Sequence, residues 1–192
     1  MEIIIFMYIC ALGLLLGSFI NAASWRLQID NTESLLTGRS KCINCNHQLT
    51  SKDLVPLFSW LALRGKCRYC NQPISPQYPA LELASAVLFG ASYLLWDATS
   101  NYWQLSLAVW LITLTWLIVL AVIDYKTKTL PYKITLPLLV FQLLSVVVLW
   151  QLQVITIGDR LLAVAIFAGI FGLLWLVSGG RWVGDGDIPL LA

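Results

Sequence analysis

The stretch "WQLSLAVWLITLTWLIVLAVID", Trp103 to Asp124, contains a single charged side chain, and that residue is its last. An α-helix needs about 20 residues to cross the hydrocarbon of a bilayer, and Trp103 to Ile123 supplies 21 without a charge. Outward from it lie four further apolar blocks, Ile3 to Ala23, Ala80 to Trp96, Ile134 to Trp150 and Leu161 to Val177, each 17 to 21 residues long. Across all 192 residues, 59% are hydrophobic and 11% charged, with a mean hydropathy of +0.78. A soluble domain of this size cannot present so little polar surface to water, so a soluble globular protein is excluded. The sequence therefore predicts an all-α polytopic membrane protein with about five transmembrane helices. Pro137 lies near the start of its block, where a missing N–H costs a helix little.

The basic residues orient the chain. Seven Lys and Arg (Arg26, Arg39, Lys41, Lys52, Arg64, Lys66, Arg68) fall between the first two blocks, and none between the second and third. Lys126, Lys128 and Lys133 follow the third block, Arg160 the fourth and Arg181 the fifth. The positive-inside rule then puts the long first connection in the cytoplasm and the N-terminus outside. The first block is read as an anchor rather than a cleaved signal, because Glu2 precedes it and its basic residues follow it.

The one substantial polar segment, Trp25 to Pro79, has 55 residues, and a unit that small needs a staple. "CINC" (Cys42, Cys45) and "CRYC" (Cys67, Cys70) form two C-x2-C pairs separated by 21 residues. A two-residue gap turns both thiolates of a pair toward one ion, and two pairs complete a tetrahedral, closed site. Zinc suits four thiolates; the alternatives are two disulfides, which a reducing cytoplasm disfavours, or four free thiols. His47 is expected to face solvent and Cys10 to pack inside the first helix. Leu57 to Leu63 is apolar enough either to pack on the zinc site or to dip into the membrane interface, where Trp60 would fit. For Asp53 and Arg64, which bracket that stretch, an ion pair or solvated charges is expected.

Asp124 follows the third block directly, and "GDGD" (Gly184 to Asp187) follows the fifth, both on the face assigned to the cytoplasm. A carboxylate in hydrocarbon costs about 2.5–3.5 kcal/mol on insertion scales, which marks such residues as functional candidates. Two aspartates at one membrane face could share a proton and activate a water between them. Gly184 and Gly186 would permit a kink or close approach of an extended chain. A phosphate-binding loop is set aside, because no Gly-x-x-x-x-Gly-Lys-Ser/Thr pattern occurs.

Taken in order, "GSFINAASWRL" (17–27), the paired knuckles, "KDLVPLFSWLALRGKCRYC" (52–70), "ISPQYPALELASAVLF" (74–89), "IDYKTKTLPYKITLPLL" (123–139) and "GDGD" resemble the type IV prepilin peptidases. The resemblance implies a catalytic pair of Asp124 and Asp187, with Asp185 at a variable position. It implies a bacterial inner-membrane enzyme that removes the leader of prepilins and type II secretion pseudopilins on the cytoplasmic side. It further implies methylation of the new N-terminus from S-adenosylmethionine, to which no residue is assigned. Tyr132 stands where the family usually has Asp, and Pro189 where it commonly has Lys. The family continues into further helices past the second motif, so the chain reads as C-terminally short. The expected organisation is a first helix over 1–24, a cytoplasmic loop over 25–79 holding zinc on Cys42, Cys45, Cys67 and Cys70, and a peptidase region over 80–192. Expected partners are prepilin or pseudopilin substrates and the bilayer, with no nucleic acid. An inactive truncated member and a zinc-stapled adaptor of a pilus or secretion assembly are the alternatives.

Overall fold

The computed structural model describes residues 1–26, 39–128 and 132–178. Among the described residues, six α-helices and one 3-10 turn follow in order: α1 (Glu2–Arg26), the 3-10 turn (Ser51–Asp53), α2 (Phe58–Ala62), α3 (Gln77–Leu95), α4 (Trp103–Thr127), α5 (Tyr132–Gln151) and α6 (Ile157–Ser178). Among the described residues there is no strand, only the isolated bridges Lys41–Gln48 and Lys66–Pro73. Each apolar block coincides with one long helix. Four of these, Glu2–Ser24, Gln77–Leu95, Trp103–Thr127 and Ile134–Gln151, are long and apolar enough to cross a membrane. The fifth block forms the 22-residue α6. The chain is thus an all-helical polytopic membrane protein. Because α5 starts at Tyr132, Pro137 sits in its second turn rather than its first and removes one i→i−4 bond.

The chain divides into two compact units, Met1–Trp96 and Asp97–Ala192. In the first, α1 and α3 pack antiparallel at very short range. A Cβ added at Gly13 would lie 2.7 Å from the Ser85 carbonyl oxygen, and one at Gly17 would lie 2.8 Å from the Glu82 Cα. Gly13-x-x-x-Gly17 puts both glycines on one helix face, and with Ser85 and Ala86 opposite, the backbones come together. Apolar transfer does little to drive two helices together in lipid, so this close contact is what holds the pair. Farther along, Gly90 receives the Cys10 sulfur and the Phe6 ring, so Cys10 is a packing residue as expected. Phe6 and Tyr93 meet with ring centroids 6.3 Å apart.

Toward the loop, the α1–α3 seam becomes polar. Asn21, Ser24, Glu82 and Ser85 are all buried, and none of the buried side-chain polar atoms among the described residues lacks a hydrogen bond. The Asn21 amide donates to the Tyr78 carbonyl at 3.3 Å, and the Ser85 hydroxyl to that of Leu81 at 2.8 Å.

In the second unit, α4 and α5 are joined by Gln142, whose side-chain amide donates to the Thr113 hydroxyl at 2.8 Å. The Ser145 hydroxyl donates to the Gln142 side-chain oxygen at 3.2 Å. Leu107, Leu114, Ile118, Leu138 and Leu149 supply buried apolar surface in this unit. At the C-terminus of α4, Lys128 takes a left-handed conformation (φ 54°) and donates its N–H to the Asp124 carbonyl at 2.8 Å, which ends the helix.

Candidate functional site

The four loop cysteines come together. Their sulfurs all lie within 4.8 Å of one another, with Cys42 and Cys70 3.9 Å apart, and none is in a disulfide. Zn–S bonds of about 2.3 Å in a tetrahedron place sulfurs about 3.8 Å apart, so the donor set fits one such ion. The local backbone explains why. Each Cys-x2-Cys-Asn turns through an asparagine at positive φ, Asn46 at 56° and Asn71 at 57°. In each, the asparagine N–H returns to the first cysteine's carbonyl, Cys42 at 2.9 Å and Cys67 at 3.0 Å. Cys42 then donates to the His47 carbonyl as Cys67 does to that of Gln72, and Leu49 donates to Ser40 as Ile74 does to Gly65. The knuckles are thus a structural repeat offset by 25 residues, legible in the paired "KC-x-x-CN" strings at 41–46 and 66–71.

The crowding sets Cys42 and Cys70 apart. Burial pushes the Cys42 thiol up, but hydrogen bonds from the Cys45 and Asn44 backbone and from Cys67 and Cys45 bring it down to about 7. At Cys70, the Gln72 backbone N–H pulls downward, yet burial and the three neighbouring cysteines drive the thiol up to about 12. A cation at the centre would favour the thiolate at both.

Asp53 secures the second knuckle. Its carboxylate accepts from Arg68 Nε at 2.7 Å, Tyr69 OH at 3.0 Å, and the Thr50 hydroxyl and N–H at 2.8 and 3.0 Å. Burial alone would push this carboxyl up; the Arg68 guanidinium and the Thr50 and Tyr69 hydrogen bonds outweigh it and hold it well below the usual carboxylate range. Of the two expectations for Asp53, an ion pair or solvated charge, the ion pair is present, and Arg68 is its partner. His47 is exposed, as expected, and stacks on Tyr69 with ring centroids 3.6 Å apart. Trp60 turns into the loop, donating Nε1–H to the Ile74 carbonyl at 3.2 Å and lying against Gly65.

Glu82 is a residue that the sequence reading passed over. It is 6% exposed inside α3, and its Oε2 accepts the Leu57 N–H at 2.8 Å. An ionisable side chain inside an apolar block was the available signal. This bond fastens the cysteine loop to the membrane helix. Between the loop and α1 lies a cleft of about 1110 Å3, whose walls include Leu15 and Phe19 of α1, Lys41 and Arg68 of the loop, and Tyr78 and Glu82 of α3.

Of the expected catalytic pair, Asp124 is exposed in the last turn of α4. Asp187, with Asp185, lies outside the described residues. The structure thus brings together the four predicted metal ligands, and describes only one of the two predicted catalytic aspartates.

Residues 11–96 match the Bacterial Peptidase A24 N-terminal domain, and residues 111–192 match the Type IV leader peptidase family. A prepilin leader peptidase/N-methyltransferase of Pectobacterium carotovorum is 35% identical over 94% of this chain and 70% of its own length. The chain belongs to the type IV leader peptidase family. An Aeromonas hydrophila member with the same designation is 33% identical over 94% of this chain and 68% of its own length. The Myxococcus xanthus member is 33% identical over 96% of this chain, which spans 53% of that relative. No solved structure matches the chain.

Proposed function

We propose that this protein is a prepilin leader peptidase, cleaving the leader of type IV prepilins or type II secretion pseudopilins with Asp124 and Asp187. The observation that carries the proposal is that matches to both family domains, and to relatives named for this activity, run along nearly the whole chain. One carboxylate takes a proton from the attacking water while the other, protonated, polarises the scissile carbonyl. The exposed position of Asp124 at the end of a membrane helix supports this role, since water and an extended chain can reach it.

In this reading residues 1–24 form the first membrane helix, 25–79 a cytoplasmic loop domain and 80–192 the peptidase region, in an inner membrane with the N-terminus outside. The seven basic residues between the first two blocks support that orientation. Cys42, Cys45, Cys67 and Cys70 hold a structural zinc, which supplies a rigid, coordinatively closed centre for the loop. The chain also methylates the new N-terminus from S-adenosylmethionine, as the second half of the relatives' names supports. The cleft beside α1, about 1110 Å3, has room for that donor, because small-molecule sites typically occupy about 300–1,000 Å3.

The test is leader release from a purified prepilin by the chain in detergent, beside Asp124→Asn and Asp187→Asn. Wild type should release the leader and each variant should fall to background. Equal activity in either variant removes that aspartate from the mechanism, and an inert wild type that still binds prepilin makes the chain an adaptor. Elemental analysis should find about one zinc per chain, lost in Cys42→Ser. Labelled S-adenosylmethionine added to cleaved product reports methylation separately.

A further inference from the structure

The loop between the two knuckles sorts its apolar residues into two sets. Trp60 is turned inward, as described above, whereas Val55, Phe58 and Leu61 are turned outward at 45%, 68% and 63% exposure. Leu54, beside them, is 40% exposed. A small loop domain gains nothing in water from displaying such an apolar run.

The Leu57–Glu82 bond gives the depth of this patch. Glu82 is the sixth residue of α3, so its Cα lies about 7.5 Å along the helix from Gln77 at 1.5 Å per residue. Its side chain leans back toward the helix start, which places the Leu57 N–H roughly 4–8 Å inside that end. The spanning segment Gln77–Leu95 has 19 residues, about 28 Å, barely the thickness of the hydrocarbon core, so its first turns stand at the lipid boundary. An independent gauge comes from α1. Gly17 packs on Glu82, and it precedes the end of the apolar block Ile3 to Ala23 by six residues, about 9 Å. Both helices thus put Leu57 beside the apolar span rather than beyond its end, on the loop side.

The turn is shaped for this. Leu57 has φ 60° and ψ −50°, and Phe58 N–H closes a three-residue turn on the Pro56 carbonyl at 2.6 Å. That conformation is strained for a non-glycine residue, and the buried Glu82 carboxylate holds it by accepting the N–H at its apex. The turn aims Val55, Phe58 and Leu61 away from the loop core. In the sequence, Lys52 precedes the patch and Arg64 and Lys66 follow it, and cations flanking an apolar segment suit anionic headgroups.

From the Leu57–Glu82 tether and the outward Val55, Phe58 and Leu61, we infer that residues 54–61 form a membrane-dipping element: their apolar side chains enter the lipid interface beside α3 and seat the cysteine domain against the bilayer. The partner is the lipid surface itself. Interfacial segments of this kind bury their apolar side about 5–10 Å into the headgroup and acyl boundary, which matches the depth set by Glu82. The inference does not depend on the proposed peptidase activity.

The unmodified chain tests it. Reconstituted in nanodiscs containing a phospholipid with a photoreactive diazirine near the glycerol end of one acyl chain, the peptide covering 54–61 should be labelled within about threefold of the α3 peptide containing Val87, which is 59% exposed. Phe58→Ser/Leu61→Ser, with metal content and the α3 labelling unchanged, should lower labelling of that peptide at least fivefold. Labelling below one-tenth of the α3 value overturns the inference. So does chemical crosslinking of 54–61 to residues 97–192 or to added prepilin with no lipid adduct, which would make the patch a protein interface.

Discussion

Replacing Gly13 or Gly17 by alanine should damage this protein although alanine is the better helix former. An added Cβ at Gly13 would meet the Ser85 carbonyl oxygen at 2.7 Å and the Ala86 Cα at 2.8 Å, and one at Gly17 would meet the Glu82 Cα at 2.8 Å. These are backbone atoms of α3, so no side chain can swing aside. Ordinary contact begins at 3.4 Å, so the helices must separate by at least 0.7 Å at Gly13, the difference between 3.4 and 2.7 Å. A radial gap of about 0.5–1 Å forfeits a quarter to a half of each dispersion contact along the seam. Overpacking of this kind costs about 1–3 kcal/mol, against a helix-propensity gain of up to about 1 kcal/mol. Gly169 in α6 separates the two terms, since a Cβ there meets nothing within 4 Å. Gly169→Ala therefore carries the propensity gain alone. Measured by steric trapping or reversible detergent unfolding, Gly13→Ala and Gly17→Ala should each lie about 1–3 kcal/mol below Gly169→Ala. The double variant should also loosen the Leu57–Glu82 bond, seen as faster hydrogen exchange at Leu57. If all three alanines fall within about 0.5 kcal/mol of one another, the close α1–α3 seam is refuted.

Other substitutions probe the loop and the second unit. Gly65 has φ +70° and faces the Trp60 ring, which a Cβ would meet at 2.9 Å; Gly65→Ala should cost about 1–2 kcal/mol and weaken metal retention in a chelator competition. Asp53 titrates below its unfolded value of about 3.9, so its contribution is complete above that pH and fades as pH falls through it toward the lower folded value. The stability gap between wild type and Asp53→Asn, read by limited proteolysis of the loop, should accordingly be largest near pH 7 and close below about pH 4. A gap that widens in acid would reverse the assigned sign. Gln142→Leu removes the Thr113 hydrogen bond between α4 and α5, and comparable bonds in membranes average about 0.6 kcal/mol. A loss above about 2 kcal/mol would show that Gln142 does more than bridge the two helices.

How far the sequence reaches differs between the helices, the metal ligands and the rest of the site. Trp103 to Ile123 had to become a helix, because backbone groups in hydrocarbon must pair within their own segment. The same reasoning located the other four long helices to within a few residues. Cys42, Cys45, Cys67 and Cys70 were equally legible, since a two-residue gap is a local geometric statement about where two thiols point. Asp53 was harder: the sequence offered Arg64 as a bracketing charge, and the fold chose Arg68 because the second knuckle turns that guanidinium onto the carboxylate. Trp60 and Phe58 are both aromatic and two residues apart, yet one lies against Gly65 and the other points outward. No hydropathy average separates them.

By itself, then, the sequence determined the class of protein, the helices and which four cysteines cluster, because hydrocarbon thickness and cysteine spacing act on neighbouring residues. Tertiary structure alone decided that Gly13 and Gly17 would meet Ser85 and Glu82, and that a buried carboxylate, Glu82, would accept the Leu57 N–H. Those choices depend on which surfaces approach closely enough to exclude everything else. That is a property of two segments jointly, and the chain specifies it only once both are folded and packed.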